Sequence, residues 1–371
     1  MAHYLALSIG ILSSRGHTSL LAFSKSRHVI SHERPQRASV YWQPARPRDS
    51  LPNGVLFPVE AAMAERASLQ SGRAALMVTA LFAAFGCGGS SPTPEVVWGR
   101  RGVQDGDLVR PRAIAIDAKD RLFIVDYTAR IQVYDRDGNY LGKTWTTPDY
   151  RNGRPSGLSI ARDGNLIVSD SHYHCFRIYN ADGVELRCLG GQAGTEPGQL
   201  GYVSDVVQDG DGYFYVAEFG ENQRISKFDE NGRFIKCWGS PGSGPCQFGR
   251  ARALALGPDA LLYVADACNH RIQVFTTDGD LVRMWGEPGE APGQLSYPYD
   301  LAFNASGELY VVEYGNHRVQ KFTSEGESLG CWGGPGQGPG KLHCPWALAV
   351  DSRGRVHVMD SDNHRVQRIR F

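Results

Sequence analysis

The sequence predicts an all-β protein, a six-bladed β-propeller with four antiparallel strands in each blade, and three observations support this prediction. One pattern recurs six times at spacings of 44, 48, 48, 47 and 47 residues. The composition of 44 Gly and 20 Pro against 5 Met suits many short strands that are joined by tight turns. Apolar and polar residues alternate over short runs, which is the period of half-buried strands.

Each repeat contains an acidic residue at the end of its second strand, and this residue defines the spacing. The six acidic anchors are Asp126, Asp170, Glu218, Asp266, Glu313 and Asp360. A fixed period of this length indicates that one repeat is one structural unit. Because a single four-stranded sheet cannot bury both of its faces, we expect the six units to stack radially around a channel.

The sequences between the anchors carry turn and loop motifs. An Asn-His-Arg trio follows the anchor at residues 269–271, 316–318 and 363–365, and Asp-Gly or Asn-Gly turns occur at residues 137–138, 182–183, 231–232 and 278–279. This phased set resembles the NHL repeat over roughly residues 96–371. The resemblance implies a six-bladed propeller.

In the first repeat, strands are predicted at residues 121–125, 131–134 and 140–145. The last repeat stops after its third strand, and Val96-Val97-Trp98-Gly99 matches the fourth strand of the other repeats. We therefore expect the N-terminal strand to complete the sixth blade, which protects two sheet edges from pairing with other chains.

The segment before the repeats has the features of an export signal. Arg66 and Arg73 precede a 12-residue apolar run, Ala74 to Phe85. The ending at Cys87 resembles the lipobox of bacterial lipoproteins, which implies a lipid on this cysteine; an ordinary signal peptide with an incidental cysteine is the alternative. Accordingly, residues 1–62 are interpreted as a non-native or disordered upstream segment before Met63, residues 63–87 as the signal peptide, and residues 88–95 as a flexible tether.

The charge of the repeat region argues against nucleic acid as a partner. Residues 96–371 contain 30 Lys and Arg against 34 Asp and Glu. A nucleic-acid partner requires a basic stripe that neutralises phosphates.

The start of the first strand and the end of the second strand of every blade are expected on one face, at the channel mouth. The residue types there vary between repeats, and they include arginines, carboxylates and aromatic rings that are frequent in ligand sites. Neutral surface variation is the competing interpretation. The candidate ligand-binding residues are Arg112, Asp205, Arg252, Tyr299, Asp300, Trp346, Tyr127, Phe219 and Tyr314.

A second set of charged residues recurs in five blades and is interpreted as structural, because catalysis rarely needs five copies. The expected pairs are Asp126 with Arg130, Glu218 with Arg224, Asp266 with Arg271, Glu313 with Arg318, and Asp360 with Arg365. Blade 2 departs from the pattern, since Cys175 stands where arginine is expected.

Histidines recur at equivalent positions, His270, His317 and His364, where they are expected to cap loops and not to share a metal ion, because blades are separated by roughly 10 Å. No metal site, catalytic residue or cofactor is predicted. Residues 267–272 look like a stretch of the peptide-amidating lyases, which hold zinc with channel histidines that this chain does not place after the strand-one proline. A sugar lactonase that binds calcium or another divalent metal would use Asp205, Asp300, Glu218 and Glu313.

Eight cysteines in an exported protein suggest disulfides. Counting outward from the turn at residues 180–183 places Cys175 opposite Cys188, close enough for a bridge. The pairs Cys237 with Cys246 and Cys331 with Cys344 are weaker candidates, and reduced thiols are the alternative.

The sequence therefore predicts an exported NHL-like propeller that is anchored by lipid to a membrane of the bacterial cell envelope, outside the cytoplasm. It is expected to be a binding or scaffold module for a protein, peptide or glycan. The alternative is a metal-dependent enzyme, a lyase or a lactone hydrolase, with zinc or calcium in the channel.

Overall fold

A computed structural model of the protein describes residues 93–151 and 153–371. The predicted signal peptide and Cys87 lie outside these residues. Within them, six four-stranded antiparallel sheets form the blades of a β-propeller, so the predicted fold class is confirmed. No helix among the described residues is long and apolar enough to cross a membrane.

The strands follow one another along the chain, and each blade is a meander. The strands of blades 1 to 3 are β2 (Ala113–Ile116), β3 (Leu122–Val125), β4 (Arg130–Tyr134) and β5 (Tyr140–Thr146); β6 (Gly157–Ile160), β7 (Leu166–Asp170), β8 (Cys175–Tyr179) and β9 (Glu185–Gly190); β10 (Tyr202–Gln208), β11 (Phe214–Phe219), β12 (Arg224–Phe228) and β13 (Phe234–Trp238). A short parallel pair follows, β14 (Ser240–Pro241) with β15 (Gln247–Phe248).

Blades 4 and 5 repeat the same order. Their strands are β16 (Ala251–Leu256), β17 (Leu262–Asp266), β18 (Arg271–Phe275) and β19 (Leu281–Trp285); β20 (Pro298–Phe303), β21 (Leu309–Glu313), β22 (Arg318–Phe322) and β23 (Ser328–Gly333). Three short 3-10 helices at Ser171–Tyr173, Ala267–Asn269 and Ser361–Asn363 connect the second and third strands of blades 2, 4 and 6.

Blade 6 contains strands from both ends of the described chain. It is built from β24 (Leu348–Val350), β25 (Val356–Asp360), β26 (Arg365–Ile369) and the N-terminal β1 (Val96–Trp98). Val97 pairs with Gln367 in antiparallel register, so the predicted closure of the ring is confirmed. Closure gives the last blade its fourth strand and leaves no incomplete sheet in the ring.

The hydrophobic core lies between the blades. Each of six buried clusters joins residues of two neighbouring blades, and the cluster that contains Ile114 of blade 1 and Met359 of blade 6 completes the circle. The second strands are buried along their whole length, as in β3 and β17. The sequence pattern predicted half-buried strands, but these second strands are buried on both faces, because neighbouring blades cover both sides of each sheet.

The acidic anchors pair with arginines, and each pair ties a blade to the loop that precedes it. In blade 4, Asp266 accepts from Arg271 Nε at 2.9 Å and from the backbone amide of Gly249 at 2.8 Å. The same guanidinium donates to the carbonyls of Ser243, Gly244 and Gln247 at 2.7–2.8 Å. The five expected pairs all form, at 2.5–3.0 Å.

Blade 2 has an ion pair that sequence reasoning missed. Arg177, two positions after Cys175, reaches Asp170 at 2.8 Å. In four other blades this position is a buried glutamine that also bonds the loop, as Gln273 Nε2 does with the carbonyl of Gln247 at 2.8 Å. The blade 2 arginine has moved along its strand, and the carboxylate remains paired.

Loss of one anchor should destabilise the propeller strongly. Replacing Asp266 with alanine leaves the buried Arg271 and two backbone amides without their acceptor, so we expect the free energy of unfolding to fall by about 3–5 kcal/mol. Urea unfolding measures this change.

The matched control is Glu230→Ala, which removes an exposed ion pair to Arg162 at 2.9 Å. Its expected effect is about 1 kcal/mol or less. Equal effects of the two substitutions would contradict the anchor role of Asp266.

Candidate functional site

A narrow cavity of about 10 Å³ lies on the axis of the propeller, lined by residues from all six blades. Five of the nine predicted ligand-binding residues line it: Arg112, Asp205, Arg252, Asp300 and Trp346. They meet because the innermost strands of the blades begin around one opening. We call this opening and the residues around it the channel mouth.

Three aromatic rings on blades 5 and 6 form one wall of the channel mouth. Tyr299 stacks on Tyr314 with ring centroids 4.6 Å apart, and Trp346 meets Tyr299 edge to face at 5.8 Å. All three residues were predicted. Such a cluster is rigid and gives a bound ligand a flat apolar contact.

Two predicted arginines lie against this aromatic wall. The guanidinium of Arg112 is 4.7 Å from the Trp346 ring centre, and that of Arg252 is 5.7 Å from the same ring and 5.4 Å from Tyr299. The geometry is that of cation–π contacts. Arg252 is buried, and it donates to the Ser156 carbonyl at 3.3 Å.

Two further arginines were missed by the sequence reading. Arg154 lies 4.4 Å from the ring centre of Tyr127, and Arg250 lies 4.7 Å from that of Phe219. The two rings had been predicted as ligand-binding residues. A signal was present, since arginine stands two positions before Ser156 in blade 2 and before Arg252 in blade 4, as Arg110 does before Arg112 in blade 1.

The four guanidiniums have few acceptors of their own. The Nε atoms of Arg112, Arg154 and Arg250 are buried without a hydrogen-bond partner among the described residues. Burial, together with the charges of Arg252, Arg154 and Arg250, lowers the pKa of Arg112 to about 9, so it stays cationic at neutral pH. Burial also lowers the pKa of Arg252.

Two carboxylates line the cavity together with Arg112 and Arg252. Burial, and then the charge of Asp300, raises the pKa of Asp205 to about 7. Burial raises the pKa of Asp300 to about 6. Near neutral pH the carboxylates therefore neutralise only part of the guanidinium charge, and the channel mouth is positive.

Both carboxylates also have a structural role. Asp205 accepts from the amide of Leu254 at 2.9 Å, and Asp300 accepts from the amide of Leu348 at 3.0 Å, so each joins its innermost strand to that of the next blade. Each follows a β-bulge at the start of its own strand, which turns the side chain towards the neighbour. Gly157 leaves room for Asp205, since a Cβ there would lie 2.5 Å from its carboxylate.

The four carboxylates of the lactonase-like hypothesis do not form one set. Asp205 and Asp300 line the cavity, whereas Glu218 and Glu313 do not. Glu218 accepts from Arg224 and Glu313 from Arg318. These two glutamates are anchors.

The recurring histidines cap loops, as the repeat positions had suggested. His270, His317 and His364 have left-handed backbone conformations with φ of 53–57°. Their Nδ1 atoms accept backbone amides of the next blade, for example that of Cys344 on His317 at 2.9 Å. This contact fixes the chain that leads into the innermost strands of blades 5, 6 and 1.

The predicted direct opposition of Cys175 and Cys188 is wrong. Cys175 pairs with Gly190 and Cys188 with Arg177, because an irregularity beside Tyr179 shifts the register. Both cysteines are thiols in the structure, and no disulfide joins the cysteines of the described residues. A hydrogen bond from Cys175 lowers the pKa of Cys188 to about 7.

Comparison with known proteins supports the class of the fold. Residues 248–275, 295–322 and 342–369 match the NHL repeat. The chain therefore carries NHL repeats on a six-bladed β-propeller, as the sequence pattern predicted.

Particular relatives cover only parts of the chain. Peptidyl-glycine alpha-amidating monooxygenase A of Xenopus laevis is 37% identical over 124 residues, which are 31% of this chain and 13% of that protein. The chain therefore spans only about an eighth of the length of such curated relatives.

Two solved structures are similar in fold. A streptogramin B lyase has a TM-score of 0.54 at 15% identity, with 74% of this chain and 96% of that chain covered. A gluconolactonase of Xanthomonas campestris has a TM-score of 0.54 at 15% identity, with 71% and 86% covered. At these identities the likeness shows the fold alone.

Proposed function

We propose that the protein is an exported binding or scaffold module that is tethered to a bacterial envelope membrane and takes a protein, peptide or glycan at its channel mouth. We further propose that the group of the ligand that enters the cavity is anionic. The carrying observation is that Arg112 and Arg252 line the cavity beside two carboxylates that are partly protonated near neutral pH, while Arg154 and Arg250 lie on neighbouring aromatic rings, close enough to lower the pKa of Arg112.

The charge balance supports an anionic group. Four guanidiniums against two carboxylates leave the channel mouth positive, and three buried Nε–H groups lack acceptors. A buried donor without an acceptor is unfavourable by about 1–3 kcal/mol. An oxyanion would accept these donors with the short, charge-assisted bonds that guanidiniums form with carboxylate, phosphate or sulfonate groups.

The size of the cavity supports a ligand that is only partly inserted. A cavity of about 10 Å³, which is room for about one water-sized group, suits one small terminal group and not a whole peptide or sugar chain. The rest of the ligand would contact the rim, where Tyr127 and Phe219 lie with their neighbouring arginines and Tyr314 stacks on Tyr299.

A metal-dependent lyase or lactone hydrolase is the second candidate, and the local similarity to an amidating monooxygenase favours it. The electrostatics of the cavity favour the binding module over the metal-dependent enzyme. The arginines repel a divalent cation from the cavity itself, and Asp205 and Asp300, the carboxylates that line it, already accept backbone amides.

Tethering rests on the leader, which lies outside the described residues. The basic residues before Ala74, the apolar run and Cys87 support export followed by lipid attachment. Two acyl chains on one cysteine are enough for stable anchoring.

The first prediction concerns ligand charge. Benzenesulfonate combines an oxyanion with a ring, and it should bind the purified protein at least about tenfold more tightly than neutral benzenesulfonamide, because a hydrogen bond to a charged group contributes about 1.5–3 kcal/mol. Isothermal titration calorimetry measures both affinities.

Arg252→Gln should weaken the binding of benzenesulfonate about tenfold or more. The matched control is Arg162→Gln, which removes an exposed arginine on another part of blade 2. Equal binding of the charged and neutral probes, or no effect of Arg252→Gln, would contradict the proposal.

The second prediction concerns pH. Benzenesulfonate keeps its charge, so its affinity should rise as the pH falls from about 8 to about 5, because Asp205 and Asp300 take up protons near pH 7 and pH 6 and lose negative charge. The double variant Asp205→Asn with Asp300→Asn should bind with a flat profile. An affinity that falls with falling pH would refute this electrostatic account.

The third prediction concerns the tether. Cys87→Ser removes the sulfur that would carry the lipid, so the protein should move from the membrane fraction to the soluble fraction of a bacterial expression host. Immunoblots of separated fractions measure the change, and Cys268→Ser is a control cysteine within the propeller. Continued membrane association of Cys87→Ser would defeat the lipoprotein proposal.

A further inference from the structure

The six blades serve as an internal comparison for the two residues that stand three and two positions before Arg112, Ser156, Ser204, Arg252, Tyr299 and Trp346. These pairs are Val109-Arg110, Gly153-Arg154, Gly201-Tyr202, Gly249-Arg250, Ser296-Tyr297 and His343-Cys344. Five blades fold without a metal-binding side chain at either position. His343 and Cys344 are therefore not required by the repeat, and blade 6 has acquired two side chains that bind metals.

A third such side chain approaches from the loop between β25 and β26. A ring nitrogen of His343, the sulfur of Cys344 and a carboxylate oxygen of Asp362 all lie within 4.8 Å of one another. Asp362 is the second residue of its 3-10 helix, where blade 4 has Cys268. The cluster thus joins two segments that are separated along the chain and differ from their counterparts in other blades.

Backbone contacts hold these two segments together without using the three side chains. The amide of Asp362 donates to the carbonyl of His343 at 3.1 Å, and the amide of His343 donates to Asp360 Oδ1 at 2.7 Å. The amide of Cys344 donates to His317 Nδ1 at 2.9 Å. The three side chains therefore extend from a rigid frame, as a preformed metal site requires.

Neighbouring side chains have the arrangement of an outer shell. Arg110 Nε donates to Asp362 Oδ1 at 2.7 Å and orients the carboxylate. Such outer partners hold ligating carboxylates in metal sites. His317 lies beside His343 with ring centroids 5.9 Å apart, but its Nδ1 is an acceptor, so a neutral His317 carries its proton on Nε2 and is not assigned as a ligand.

We propose that His343, Cys344 and Asp362 form a zinc site on the blade 6 side of the channel mouth. One imidazole nitrogen, one thiolate and one carboxylate are all ligands of zinc, and three protein ligands leave one coordination position for water or a group of a bound molecule. Thiolate and imidazole select zinc over calcium or magnesium. The site borders the aromatic wall, because Cys344 hydrogen bonds with Tyr314, which stacks on Tyr299.

The test uses the purified full chain and zinc alone, after removal of bound metal with a chelator and dialysis. Calorimetric titration should show one zinc ion per chain. His343→Ala, Cys344→Ser and Asp362→Asn should each weaken zinc binding at least about tenfold. Mutation of a residue that only hydrogen bonds to a metal ligand already weakens metal binding by about this factor. Cys268→Ser, a matched thiol on the equivalent loop of blade 4, should leave the affinity unchanged.

Cobalt provides a second measurement, because its absorption spectrum shows directly whether a thiolate binds the metal. A cysteine that only supports the fold would not contribute to this spectrum. The cobalt complex of the wild-type chain should show a thiolate-to-cobalt absorption band that Cys344→Ser lacks and Cys268→Ser retains. Circular dichroism shows whether each variant keeps its β-structure, and a variant that unfolds is replaced by the milder His343→Gln. Absence of zinc binding by the wild-type chain, or equal zinc binding by all the variants, would overturn the proposal.

Discussion

A buried carboxylate at the end of the second strand of each blade is the interaction on which the rest of the structure depends. In five blades it accepts one backbone amide from the segment that leads into its own blade and a guanidinium from its third strand, as Asp266 does with Gly249 and Arg271. In blade 2, Asp170 is paired with Arg177, and its Oδ1 has no partner among the described residues. Because the carboxylate is fully buried, losing either partner would leave a charge or a polar group without compensation. In these five blades, the contact fixes the position at which the innermost strand begins.

That constraint separates the residues that build the propeller from those around its opening. The anchors, the loop histidines and the buried glutamines satisfy the backbone of the loops, so the first residues of the innermost strands are free to differ between blades. Ser156 and Ser204 still bond to neighbouring strands. Arg112, Arg252 and Trp346 instead converge on the axis, where their charge and their aromatic surface face one cavity.

Most of the fold could be predicted, because a repeat displays the same physical requirement six times. The period of the anchors defined the blades, and the strand predicted at residues 121–125 differs from β3 by one residue. The pairing of Cys175 could not be obtained by counting, since a local irregularity changes the register without a sequence signal.

The candidate site was only partly accessible from the sequence. Five predicted residues line the cavity because they occupy two adjacent repeat positions, and Arg154 and Arg250 were missed because they stand two positions before the first of these, outside the strands. The proximity of Asp362 to His343 depends on how two loops meet in three dimensions. The repeat spacing in the sequence does not predict such a contact.

The central claim is that the channel mouth holds an oxyanion between its guanidiniums. Anomalous diffraction from crystals soaked in selenate tests this directly, since selenium locates the ion without reference to the protein density. The account predicts one strong selenium peak within hydrogen-bond distance of Arg112 and Arg252, absent from crystals of Arg252→Gln. Selenate found only on the outer surface, with none between these two guanidiniums, would contradict it.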